Sequence, residues 1–111
     1  MVNVPRKGQA RIVDYCGSVS GKDLDKFRAC RLTAATSSKV SAPHILEFPI
    51  NIECDLRKRI GLGSHDFYFG EIVAVHVDES ILDEHGKIDK GKLEPMTSFK
   101  DSYWSVGEEL G

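Results

Sequence analysis

A disulfide framework is missing from this chain. Cys16, Cys30 and Cys54 are odd in number, form no CxxC pair and stand at no His–Cys spacing of a zinc site. Reduced thiols fit that pattern better than a bridged scaffold or a metal centre, and no metal is expected. No apolar run approaches the ~18 residues that cross a bilayer, and the amino terminus lacks the parts of a signal peptide. The reading is therefore a cytoplasmic protein without a membrane partner. An excess of one charge is missing too: 15 basic and 17 acidic residues leave a net charge of -2. The longest basic cluster is Arg57-Lys58-Arg59, so no nucleic-acid partner is expected. The glycine patterns of a Walker A loop and of a dinucleotide fingerprint are absent, as are a Ser–His–Asp order, a nucleophile elbow and any legible carboxylate pair. Hydrolase chemistry has no support.

What is present describes one domain. A chain of 111 residues with 41% apolar and 29% charged residues folds alone only with a well-packed core, and oligomerisation would help it. The most informative stretch is Leu62–Asp78, where His65 opens a long run of alternating and β-branched residues. Phe67, Phe69, Val73, Val75 and Val77 alternate with Tyr68, Gly70, Ile72, Ala74 and His76, which predicts a strand covered on both faces. Gly70 within it predicts a bulge, a barrel bend or a close approach by another backbone or a ligand. Together these suggest a small barrel with something bound at its rim.

Elsewhere, Val2–Val4 reads as the end of a strand, followed by a helix from Pro5 to about Tyr15 that Cys16–Gly21 breaks. A second helix is expected over Lys22–Cys30, with Ser20 near its start. Residues 32–43 read as a long surface loop, of a length that is often functional. Strands are expected at Ile45–Phe48, Asn51–Ile60 and His65–Asp78, the last two joined through Gly61-Leu62-Gly63-Ser64. In the second, Ile50, Ile52, Cys54 and Leu56 are assigned to the core and Asn51, Glu53, Asp55 and Arg57 to water. Asp83–Asp89 reads as a solvated turn rather than a calcium loop. Asp89 then caps a short turn before Pro95, and Tyr103–Leu110 adds a last short element. The fold class is mainly β with short helices (α+β).

Three places carry candidate chemistry, each beside a plainer reading. His65 is either a hairpin histidine, exposed to solvent or bonded to Asp66, or a near-neutral imidazole at a barrel rim that hydrogen-bonds to or stacks against a planar redox ring. Its spacing to His44, His76 and His85 forms no metal site. Ser18-Val19-Ser20-Gly21-Lys22-Asp23 is either turn and capping chemistry or an anion cradle with a lysine beside it. Tyr103 and Trp104 either cover a core edge or stack on a flavin or a dimer contact.

DYCGSVSGKDLDKF at Asp14–Phe27, APHI at Ala42–Ile45, INIEC at Ile50–Cys54, GSHDFYFGEIVAVHVDE at Gly63–Glu79 and YWSVGEELG at Tyr103–Gly111 resemble, in order and spacing, the flavin reductase-like family that includes flavoredoxin. The resemblance implies an FMN-binding split β-barrel, a homodimer, and electron transfer between a reduced donor, NAD(P)H or a redox protein, and FMN. It places Ser18, Ser20, Gly21, Lys22, Lys26 and Phe27 near the flavin, His65 on the flavin or nicotinamide side as the catalytic candidate, and Tyr103 and Trp104 near the pocket and dimer contact. Family members carry a further block of strands before the position of Val2, so residues 1–111 correspond to the carboxy-terminal portion of the domain and to a partial barrel. The alternative is a truncated, flavin-free remnant that self-associates or binds a partner through open strand edges.

Overall fold

The computed structural model describes residues 1–111. Its centre is a three-stranded antiparallel sheet in the order β1-β4-β5, formed by β1 (Val2–Val4), β4 (Ile50–Gly61) and β5 (Asp66–Val77). Short two-stranded ladders flank it: β2 (Ala34–Ala35) with β3 (His44–Ile45), and β6 (Met96–Phe99) with β7 (Ser102–Ser105). Three short helices complete the chain: α1 (Ala10–Ser18), α2 (Lys26–Ala29) and α3 (Lys90–Leu93). No helix is long and apolar enough to cross a membrane.

The expected hairpin forms. The Leu62 N–H donates to the His65 carbonyl at 2.8 Å, and Gly63 takes the positive φ of +82° that the turn needs. Register slips where Leu56 faces Gly70 but Lys58 faces Phe69, which leaves Arg57 as the extra residue of a bulge. Gly70 is required by crowding: a Cβ there would lie 3.0 Å from the Cys54 Cβ. Of the alternatives expected at this glycine the bulge is found, and the close neighbour is the Cys54 side chain, the nearest backbone atom being the Asp55 carbonyl oxygen at an ordinary 3.6 Å.

The helices differ from the sequence reading. Pro5 does not open α1; a 3-10 turn over Lys7–Gln9 comes first, closed by the Arg6 N–H donating to the Gln9 side chain at 2.8 Å. The helix then runs through Cys16 and Gly17, because the Ser18 hydroxyl donates back to the Tyr15 carbonyl at 2.9 Å and satisfies the final turn. Ser20 caps no helix. It holds a turn by accepting the Lys22 N–H, and Asp25 caps the shorter α2 by accepting the Arg28 N–H at 3.2 Å. Ile45–Phe48 is a strand only as far as Ile45, since the chain turns at Leu46-Glu47, where the Phe48 N–H donates to the Ile45 carbonyl at 3.1 Å. Within the long loop, Ala34 and Ala35 pair with Ile45 and His44. Asp89 caps α3 through Gly91 and Lys92, and Asp83 ties its own turn by accepting the His85 and Lys87 N–H groups.

The assignment of faces on β4 is reversed in part. Asn51 and Glu53, expected in water, are buried with His44, Phe48, Pro49, Ile50 and Ile81. Leu56, expected in the core, is 59% exposed, and across from it Phe67, Tyr68, Phe69 and Ile72 are exposed as well. The strand at 66–77 is thus not covered on both faces. Met1, Val2, Ile52, Cys54, Leu56, Tyr68, Gly70 and Ile72 line an open cleft of about 430 Å³ on the bare side.

Only seven of 111 residues are buried, and the accessible surface is 8535 Å². A self-sufficient monomer of this mass exposes about 6,100 Å². The radius of gyration, 15.4 Å, also exceeds the ~13 Å of a compact domain of this length. The excess lies in the projecting β4–β5 ribbon, whose tip is held by surface ion pairs such as Arg59–Asp66 at 2.6 Å, each of small worth. Gly70→Ala is expected to cost about 1–3 kcal/mol, because the facing Cys54 Cβ is fixed in a paired strand. Urea unfolding checks this, and an unchanged midpoint would mean that the two strands part freely at the bulge.

Candidate functional site

The densest polar constellation is one that pattern reading placed in water. Glu53 is completely buried, at 0% exposure. One carboxylate oxygen accepts from the Ser38 N–H at 3.0 Å, the Ser38 hydroxyl at 2.7 Å, and the Nε2 atoms of His44, at 3.4 Å, and His76. The other accepts from the Lys39 N–H at 2.6 Å and the Val40 N–H at 3.1 Å. The two imidazole rings lie 4.1 Å apart, centroid to centroid. Burial raises the Glu53 pKa, but the hydrogen bonds from Ser38, Lys39 and His76 outweigh it and hold the carboxyl well below its ordinary value. Glu53 is therefore an anion that fixes the loop before β3 against β4 and β5.

Asn51 works beside it. Its side-chain oxygen accepts from Asn3 at 2.6 Å and from the Ile45 N–H at 3.0 Å, while its amide donates to the Ile45 and Phe48 carbonyls. Two polar residues on one face of β4 thus organise β1, β3 and the loop at 37–43. Both Glu53 oxygens are occupied by protein donors, so the His44–Glu53–His76 trio has a complete structural role as it stands. The signal that could have found it was the pairing of a histidine at the end of a long loop with a mid-strand glutamate.

The residues singled out for cofactor chemistry lie in three places. Ser18, Ser20, Gly21, Lys22, Lys26 and Phe27 are contiguous, spanning the end of α1, the following turn and the start of α2. Lys26 is engaged there: its ammonium donates to the Cys16 carbonyl at 2.6 Å. Lys22 is exposed and has no ion-pair partner, which leaves one free cation beside the Ser20 turn. Tyr103 on β7 lines a cleft with Val4, Pro5 and Val13, and so lies against the α1 side of the molecule. Trp104, opposite Thr97, is 58% exposed. His65 is exposed in the β4–β5 turn, where its Nδ1 is 3.0 Å from the Ser64 hydroxyl; Asp66 is taken by Arg59 and Tyr68 instead. None of the five main clefts joins His65 to the Ser18–Phe27 segment.

The flavin reductase like domain family matches residues 1–106. The chain belongs to that family. Its fold superposes on flavoredoxin of Desulfovibrio vulgaris (Miyazaki F) with a TM-score of 0.88 and 37% identity, over 98% of this chain and 59% of that one. An FMN-binding protein from Thermus thermophilus, solved with bound 1-cyclohex-2-enone, aligns with a TM-score of 0.75 and 26% identity over 98% of this chain and 58% of that one. An uncharacterized protein of Aquifex aeolicus (strain VF5) is 30% identical over 82 residues, which is 74% of this chain and 42% of the relative. This flavin reductase-like chain thus spans roughly half of the relatives it matches. The mainly β architecture read from sequence is the flavoredoxin fold over part of its extent.

As a test of the anchor, Glu53→Gln is expected to lower Tm at pH 7 by about 10 °C, since it removes one charge from a buried hydrogen-bonded cluster. The folded-state pKa lies below the unfolded one, so the carboxylate's stabilisation is complete above the ordinary value of 4.5. It is lost as pH falls from there toward the folded value. Melting curves from pH 7 down to pH 3 should therefore show wild type and variant converging. A constant gap would mean that the charge of Glu53 is not what holds the loop.

Proposed function

We propose that this chain carries the carboxy-terminal part of an FMN-binding oxidoreductase of the flavin reductase and flavoredoxin type. The observation that carries the reading is the superposition of 98% of the chain on flavoredoxin at 37% identity. In this reading Lys22, with the Ser18–Gly21 turn, faces the phosphate of FMN, because it is the unpaired cation of that segment. Phe27 and the exposed Tyr103 and Trp104 offer apolar and aromatic surface to an isoalloxazine ring. Lys26 contributes indirectly, by tying the end of α1 to α2. His65 stands on the donor side of the ring and can give or take a hydrogen bond through Nε2, since Nδ1 already faces Ser64. The bound flavin would supply the redox chemistry, and the protein would supply binding and orientation.

A second reading is favoured by the bare face of the sheet: a flavin-free module that self-associates or binds a partner. Exposed Val2, Leu56, Tyr68 and Ile72 around one cleft form an apolar patch that monomers rarely leave open. A homodimer fits the first reading and the self-associating form of the second.

Titration of the purified chain with FMN, followed by flavin fluorescence and run beside a size measurement, separates them. Saturable binding by a dimer is the expected result; a stable oligomer that binds no flavin would replace the first reading with the second. Within the first, Lys22→Glu should weaken FMN on the order of tenfold and leave riboflavin unaffected. Equal losses for both ligands would remove the lysine from the phosphate. His65→Ala should slow flavin reduction with little change in Tm, because the histidine packs against nothing in the core.

A further inference from the structure

Cys16 and Cys30 are fourteen residues apart in sequence, yet their sulfur atoms lie 3.7 Å from each other in a thiol–thiol hydrogen bond. Both are free thiols and both are partly exposed. Their backbones are held from either side. Cys16 sits in the last two turns of α1, and the Lys26 ammonium binds its carbonyl at 2.6 Å. Cys30 ends α2, where the Leu32 N–H donates to the Phe27 carbonyl at 2.8 Å and the Arg31 N–H to the Arg28 carbonyl at 3.2 Å. That is a Schellman closure, reached with Arg31 at a φ of +53° in place of the usual glycine. Two fixed backbones thus aim their thiols at one another, and less than 2 Å of approach separates them from the ~2.05 Å of a disulfide.

We propose that Cys16 and Cys30 are a reversible dithiol site that closes to a disulfide by exchange with a small-molecule disulfide of the glutathione class. One protein thiolate attacks the S–S bond of the oxidised tripeptide dimer, forms a mixed disulfide and expels one glutathione thiolate. The second protein thiolate then attacks the protein sulfur of that mixed disulfide and expels the other. Two S–H bonds are lost and one S–S bond forms; the protein gives up two electrons and two protons, and the oxidised dimer becomes two reduced thiols. The bridge encloses Gly17–Ala29, the whole of the segment from Ser18 to Phe27. Its bearing on flavin rests on the function proposed above; its formation does not.

Burial, the hydrogen bond from Cys16 and the charge of the Cys16 thiolate push the Cys30 thiol up, against a smaller opposing pull from Lys26. Closure should accordingly speed up as pH rises, since the thiolate is the attacking species. Cys54 provides an internal control. Its thiol hydrogen-bonds to the Ile52 carbonyl, at 3.7 Å, and pairs with no second thiol.

The test is a series of reduced-to-oxidised glutathione ratios on the intact chain, with acid quenching, alkylation of remaining thiols and peptide mapping without reductant. The expected product has lost the mass of two hydrogen atoms, carries Cys16 and Cys30 in one cross-linked peptide pair, and keeps Cys54 alkylated. Its two alkylation sites should disappear together, at an oxidised-glutathione level at least tenfold below that giving any adduct on Cys54. In Cys30→Ser, the same treatment should leave a lasting glutathione adduct on Cys16. Separate adducts or free thiols on Cys16 and Cys30 at every ratio, or a bridge involving Cys54 or a second chain, would overturn the proposal. The wild-type map decides this even if the serine variant misfolds.

Discussion

The buried carboxylate of Glu53 is the constraint on which the rest of the molecule depends. An ionised carboxyl with no access to water is costly to bury, and the fold offsets that cost with donors from Ser38, Lys39, Val40, His44 and His76. Those donors come from a loop, a short strand and β5, so one side chain gathers elements far apart in sequence. Asn51, two residues earlier on the same face, does the same for β1 and the turn before β4. The ordered centre of this chain is accordingly a polar lattice with a small apolar group around Phe48, Ile50 and Ile81. Hydrogen-bond direction, more than apolar volume, sets its geometry.

That arrangement has a consequence on the opposite side of the sheet. Because β4 turns its polar residues inward, Ile52, Cys54 and Leu56 face the other way, and Tyr68, Gly70 and Ile72 of β5 join them. Side chains of a strand alternate, so burying Glu53 commits its apolar neighbours to a second interface. The surface area and radius of gyration say that these 111 residues do not supply that interface among themselves. In the solved relatives the matched region is less than two thirds of the chain. Folding and function are therefore coupled questions here: whatever covers the apolar face also fixes how far the β4–β5 ribbon, and His65 at its tip, can move.

Much of the fold was legible because it rests on local chemistry. The glycine-bearing turn after Ile60 predicted the hairpin, Asp89 predicted its cap, and Gly70 predicted the irregular pairing beside it. The failures have a shared cause. Alternation along Ile50–Arg57 identified two faces correctly but not which was inside, since a buried Asn or Glu looks like a wetted one until its partners are known. Those partners, at residues 3, 38–40, 44 and 76, are distant in sequence. The helix limits failed for a smaller reason: Ser18 and Asp25 supply end contacts that a reading centred on Ser20 and Pro5 overlooked. The family resemblance, by contrast, needed only ordered local motifs, and it reached the fold that periodicity alone described as a small mixed barrel.

The candidate site was legible as a set of residues but not as an assembly. Ser18–Phe27 forms one structural unit because α1, Lys26 and the closure after α2 tie its two ends together. Within it the two lysines divide: Lys26 spends its charge on the Cys16 carbonyl and shapes the turn, whereas Lys22 keeps its charge for solvent or a ligand. Sequence spacing alone could not separate those roles, since both lysines follow the same serine-rich stretch. His65 belongs to a different unit, carried on a ribbon with little support. A pocket that uses both needs the ribbon and the α1–α2 turn held together, within one chain or across two, and the bare apolar face is the surface such an assembly would cover. Under the flavin reading, ligand affinity should then depend on assembly as much as on any single contact, because a ring cannot be enclosed by two elements that nothing holds together.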